Sequence, residues 1–125
     1  MKKCKPAKAV PLGRNDPLLE YYHTEGKRYS VARLIEDTKD LEPFDLPLAG
    51  VDLSAEIWRG CGIFDLARHV RKCMDADLTK PIILDWDGGI ADGRHRVIKA
   101  IVEGKRTIKA VRMTWRPNND GDIPA

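Results

Sequence analysis

The stretch from Pro81 to Met113 constrains the fold more than any other part of the chain, because every junction in it carries a boundary signal. Pro81-Ile82-Ile83-Leu84-Asp85-Trp86 is an apolar run opened by a proline and closed by Asp87-Gly88-Gly89. Such a run reads as a buried strand when turn residues bound it. The Asp-Gly-Gly turn leads into a short second strand at Ile90-Ala91. The apolar spacing then becomes helical. Asp92 caps a helix over about 93–103, and Val97, Ile98, Ile101 and Val102, with Ala100 beside them, supply its buried face. Gly104 is placed to end that helix, and Thr107–Met113 forms a final strand with Ile108 and Val111 turned inward.

The rest of the chain adds two helices and little further strand. Ser30 can cap a helix running to about Leu41, with Val31, Leu34 and Ile35 at i, i+3 and i+4. Pro43 stops it, and Phe44–Leu53 reads as extended, with Pro47 implying an edge position or a bend. After the loop Arg59-Gly60-Cys61-Gly62, a second helix covers about 63–75. Its apolar positions are Ile63, Leu66, Ala67, Val70, Cys73 and Met74; Arg68, His69, Arg71 and Lys72 take the other face, where His69 is expected to be solvated. Leu18–Tyr22 is compatible with helix or strand. The expected fold class is therefore α+β, a small mixed sheet with about three helices. One domain over residues 18–115 is expected, with a flexible basic arm (1–17, including a short strand at 9–12) before it and a flexible tail (116–125) after it.

Composition excludes several classes. Three cysteines, Cys4, Cys61 and Cys73, form no Cys-x-x-Cys pair, which argues against a disulfide framework and a zinc site, so no metal is expected. Cys73 reads as core, and Cys61, between two glycines, could be reactive. No apolar run approaches the ~18 residues that span a bilayer, and no apolar stretch follows the basic N-terminus. The expected location is the cytoplasm, without membrane contact.

The chemistry concentrates at Asp92-Gly93-Arg94-His95-Arg96. A helix start offers unpaired N–H groups and the positive end of the helix dipole, which bind anions. Gly93 would let a ligand approach the backbone closely. Arg94, His95 and Arg96 put cations where they oppose the dipole, an arrangement that makes sense if an anion sits between them. The simpler alternative makes Asp92 an ordinary N-cap and leaves the basic residues solvated.

The run Leu66–Val111, about half the chain, resembles the ParB/sulfiredoxin superfamily. The similar features are the strand beginning Pro81-Ile82-Ile83, the turn Asp87-Gly88, the signature Gly93-Arg94-His95-Arg96, the small residue Ala100, Gly104 and the strand Ile108–Val111. In that superfamily the signature cradles nucleotide phosphates. The resemblance thus implies phosphate contacts from Gly93, Arg94, His95 and Arg96, with Asp92 counted among the nucleotide-site residues and a nucleoside triphosphate (CTP or ATP, with or without Mg²⁺) as the ligand. It also implies an arginine before the preceding helix, matched loosely by Arg59, and an acidic residue near that loop, matched by Glu56; His95 and Glu56 are the catalytic candidates. Arg94 stands where sulfiredoxin has its nucleophilic cysteine, so sulfiredoxin chemistry is not expected. The chain ends soon after the final strand, so a stand-alone ParB-like domain, of the kind found in phages and mobile elements, is expected rather than a complete plasmid partition protein.

Charge leaves a second function open. Between Gly93 and Arg112 lie seven basic residues (Arg94, Arg96, Lys99, Lys105, Arg106, Lys109, Arg112) against Glu103 alone. With the lysine-rich arm, and with Trp115 available to stack on an unpaired base, this could form a non-catalytic DNA-binding surface. A third alternative is a protein-interaction factor that keeps the fold without chemistry. Whether the protein is an enzyme is left undecided by the sequence, as is its oligomeric state.

Overall fold

The computed structural model describes residues 7–13, 16–56 and 62–124. The chain order is β1 (Tyr21–Thr24), β2 (Lys27–Ser30), α1 (Val31–Thr38), β3 (Phe44–Pro47), α2 (Ile63–Asp75), β4 (Ile82–Leu84), β5 (Ile90–Asp92), α3 (Arg94–Val102) and β6 (Thr107–Arg112), with 3₁₀ turns at Pro17–Leu19 and Leu48–Gly50. This is a small α+β fold with three helices and two sheets. Strands β1 and β2 form a hairpin, while the other four make a mixed sheet in the order β3-β6-β4-β5. In it β4 runs parallel to β6 and antiparallel to β5, and β3 is an antiparallel edge. The edge position explains how Pro47 is tolerated.

Strand β4 is buried at all three residues, because the sheet is covered on both faces. Ile82 and Leu84 point to one side, where Ile90, Val97, Ala100, Ile108 and Ala110 close a core beneath α3. Ile83 points to the other, packing with Tyr22 and Tyr29 of the hairpin, Leu34 of α1, and Ala91, Val111 and Met113. The hairpin turn Glu25-Gly26 places both residues at positive φ (52° and 77°), the geometry that matches the twist of paired strands. Thus Leu18–Tyr22 divides between a 3₁₀ turn and a strand.

Helix boundaries follow local chemistry. Ser30 caps α1 by accepting from the Arg33 N–H, and Thr38 ends it near its own turn, donating Oγ1–H to the Leu34 carbonyl at 2.7 Å. At the end of α3, Gly104 (φ 72°) allows its own N–H to reach Ile101 O and the Lys105 N–H to reach Ala100 O, a Schellman closure.

Several expectations change. The apolar spacing of α2 predicts a core-facing side, yet none of the helix's residues is buried; Ile63 is 92% exposed, Met74 63% and Val70 49%. Its partly buried residues are Ala67, Arg68, His69, Lys72 and Cys73, drawn from both sides, and His69 meets α3, which itself covers that face of the sheet. Cys73 is accordingly only partly buried, with its thiol pKa raised by that burial. The stretch after Arg116, expected as a tail, lies along β2. Arg28 N–H donates to Gly121 O, Asp120 N–H to Arg28 O and Ile123 N–H to Gly26 O, while Asp120 pairs with Arg33 at 2.7 Å and Asp122 with Lys27. Residues 7–13 carry no secondary structure.

A buried carboxylate adds a polar link to the apolar packing between the two sheets. Asp85 is buried and accepts the Tyr22 Oη–H at 2.6 Å on one oxygen, and the N–H groups of Asp87 and Gly89 on the other at 2.8 and 2.9 Å. It therefore fixes the β4–β5 turn and clamps the hairpin onto the sheet. Burial, then Asp85, pushes the Tyr22 phenol up to about 12, so the donor proton is retained. Replacing Tyr22→Phe is expected to cost ~1–2 kcal/mol and Asp85→Ala ~2–4 kcal/mol, because the latter strands two N–H groups and a phenol. Urea denaturation checks this; wild-type stability in both variants would remove the clamp from the account.

Candidate functional site

Glycine at position 93 is demanded by packing. Its φ is 108°, and a Cβ there would lie 2.5 Å from Ile82 Cγ2 and 2.9 Å from Ile82 Cβ. Strand β5 turns into α3 through this residue, directly over β4. Gly93, not Asp92, occupies the cap position, and with no side chain it caps nothing. The expected Asp92 cap does not form because Asp92 is the last residue of β5, its carboxylate 3.6 Å from Arg96 Nη2. The first bond of α3 runs from Val97 N–H to Gly93 O at 3.1 Å, so the N–H groups of Arg94, His95 and Arg96 precede the intrahelical ladder.

This helix start opens into a cleft of about 460 Å³ between α2, α3 and the hairpin. Gly93, Arg94, His95 and Arg96 line it with His69 and Lys72 of α2, Lys80, Glu20 and Asp92. Arg96 is committed to the fold. Its Nη1 donates to Pro81 O at 2.9 Å and its Nη2 faces Asp92, with both side chains about one-fifth exposed. Arg94 differs: its Nε is buried and has no hydrogen-bond partner among the described residues. A buried guanidinium N–H without an acceptor is costly unless a ligand supplies one.

His95 is not the near-neutral titrant expected from sequence. Burial first, then Lys72, His69, Arg94 and Arg96, lower its pKa to about 4. Nor is His69 a solvated surface residue. It is partly buried, and its Nδ1 lies 2.8 Å from His95 Nε2. The ring planes are 13° apart with centroids at 5.1 Å, the separation of two rings meeting edge to edge across that contact, so the imidazoles share an in-plane hydrogen bond. The His69 pKa is also lowered, chiefly by burial and then by Lys72 and Arg68.

Glu20 is a cleft residue that sequence reasoning missed. Its backbone is held at both ends, N–H to Pro17 O and C=O from the Val31 N–H, and its carboxylate stands 4.0 Å from Lys72 Nζ. Burial, outweighing the attraction of Lys72, raises its pKa, with Asp92 and Asp16 adding to the rise. Nothing in its sequence surroundings separates Glu20 from an ordinary surface acid; only the hairpin brings it here.

The other candidates fall away from this centre. Glu56 is exposed and does not line the cleft. Arg59 and Cys61 lie outside the described residues. Of the basic run, Lys99 Nζ donates to Met74 O and Ala76 O at the end of α2, Lys109 pairs with Asp45 at 2.7 Å, and Arg112 donates to Trp86 O. With Arg96, four of these cations thus have partners within the domain. Trp115 is 37% exposed. No group of three or more His, Cys, Asp or Glu placed to hold a metal ion is present among the described residues, and no helix among them is long and apolar enough to cross a membrane.

No protein-family model, no curated protein and no solved structure matches this chain.

Two outcomes test the site's construction. Gly93→Ala is expected to lose ~2–4 kcal/mol, from left-handed strain plus the clash with Ile82. The folded pKa of His95 lies below its unfolded value, so the unfolded chain takes up the proton first. Its stabilising contribution is therefore present above about pH 6.5 and lost as pH falls towards about 4. Thermal denaturation across that window should show a shallower loss in His95→Gln than in wild type; parallel curves would place His95 in solvent.

Proposed function

We propose that the cleft binds the phosphate groups of a nucleotide at the start of α3. The observation that carries this is the buried Nε of Arg94, without a hydrogen-bond partner among the described residues, beside a helix end that no described side chain caps. Both lack an acceptor, and one phosphate supplies acceptors to both. Lys72 and Lys80 line the same cleft and add positive charge along the path of a longer phosphate chain. The resemblance of Gly93-Arg94-His95-Arg96 to the ParB/sulfiredoxin signature supports the same ligand, a nucleoside triphosphate such as CTP or ATP, with Mg²⁺ as counter-ion. In this reading Arg94 and the first N–H groups of α3 hold phosphate, and Arg96 fixes the helix start by tying it to Pro81 and Asp92. A DNA-related role in a phage or mobile element is the setting the resemblance supports. The basic run gives less support to direct DNA binding, since Arg96, Lys99, Lys109 and Arg112 serve the domain itself.

The test is thermal stability against ATP, CTP, GTP and UTP, with and without Mg²⁺. A ligand specific to the folded state raises the melting temperature. One or more nucleotides should raise it, and Arg94→Ala should remove at least tenfold of the affinity while leaving the unliganded melting temperature near wild type. No shift with any nucleotide, or an unchanged shift in Arg94→Ala, would contradict the assignment.

A further inference from the structure

The His69–His95 contact is not needed to hold phosphate, and neither residue's neighbours in sequence require it. It joins the middle of α2 to the first turn of α3, inside the cleft, at 2.8 Å. Two neutral imidazoles can share one hydrogen bond, one donating and the other accepting, and the same bond survives when the pair gains a proton. We propose that this pair takes up one proton when an anion occupies the start of α3, so that the site binds its ligand as anion plus proton and favours a doubly charged terminal phosphate over a singly charged phosphodiester. This rests on the anion site proposed above.

The charges around the pair give the direction. From α2, Arg68 and Lys72 face it and Asp65 opposes them; from α3, Arg94 and Arg96 face it. Across the cleft stand Glu20 beside Lys72, Asp92 beside Arg96, and Asp75, Asp77 and Lys80 along the lining. With the cleft empty, burial and the four cations hold the pair neutral at pH 7. A dianion at the α3 start adds two negative charges beside His95 and offsets the cations that repel the proton. The protonated pair then presents one more donor to the ligand. By linkage, if the anion raises proton affinity, protons raise anion affinity equally. A phosphodiester, with one negative charge, drives the coupling less. This separates a free nucleotide or other terminal phosphate from a nucleic-acid backbone.

Sulfate is the suitable probe, because it stays a dianion across the pH range that matters. Its binding is measured by calorimetry from pH 8 to pH 5, in buffers of different ionisation heats, on wild type, Glu20→Gln and the double variant His69→Gln/His95→Gln. The expected result is net proton uptake and affinity rising as pH falls, up to the tenfold per pH unit that one linked proton allows. The rise should persist in Glu20→Gln and vanish in the double variant. The imidazole C–H resonances of wild type should show the pair's titration moving to higher pH when sulfate is added, which needs no variant to fold. Sulfate binding with equal affinity at every pH, or a pH dependence that follows Glu20 instead, would overturn the proton coupling and leave the anion site standing. No sulfate binding at any pH would overturn both.

Discussion

The close passage of Gly93 over Ile82 is the constraint on which the rest of the site depends. At that point the chain must leave β5, reverse into a left-handed conformation and start α3 with no room for a side chain. Ala100, fully buried against the same sheet, keeps the helix at that short distance further along. Arg96 then ties the first turn to Pro81, at the mouth of β4. The direction of α3, and hence where the side chains of Arg94 and His95 emerge, follows from these contacts. The N–H groups that precede the helical ladder and the cleft beside them are consequences of how a glycine-led helix is seated on a strand.

Electrostatics makes the same place unusual. Cations at a helix start oppose its dipole, which ordinarily costs a few tenths of a kcal/mol or more per charge. The fold reduces this cost in part. Arg96 is neutralised by Asp92, Lys72 stands near Glu20, and the two histidines are held uncharged. Arg94 is the charge left without an internal answer at its Nε. A cleft in which Arg96, Lys72 and the histidines are balanced, while Arg94 keeps a buried Nε without an acceptor among the described residues and Lys80 adds a further cation, has a charge asymmetry that the proposed anion would offset.

Much of this was legible in the sequence where boundary signals and hydrophobic spacing agreed. The strand at Ile82–Leu84, the Asp-Gly-Gly turn, the helix ended by Gly104 and the limits of α2 all follow from local chemistry. The hairpin was not foreseen: its strands, Tyr21–Thr24 and Lys27–Ser30, are four residues each and carry one buried tyrosine apiece, too short a pattern to separate strand from helix. Since Glu20 enters the cleft through the hairpin, that acid was missed as well. The amphipathic pattern of α2 pointed to a core-facing side that is not buried, because spacing identifies an apolar stripe but not whether another helix already covers the sheet. That is also why His69 read as a surface residue. Its partner is 26 positions away, and only the packing of α2 on α3 joins them. Likewise, the basic run suggested a polyanion surface, whereas several of its members cap a helix or cross-link strands.

The central claim is that the start of α3 is an anion site. The most direct measurement is an amide and imidazole chemical-shift map during titration with pyrophosphate. The largest changes are expected on the backbone N–H groups of Arg94, His95 and Arg96 and on the rings of His69 and His95. Changes concentrated instead on Lys105–Arg112, or none at saturating pyrophosphate, would contradict the claim.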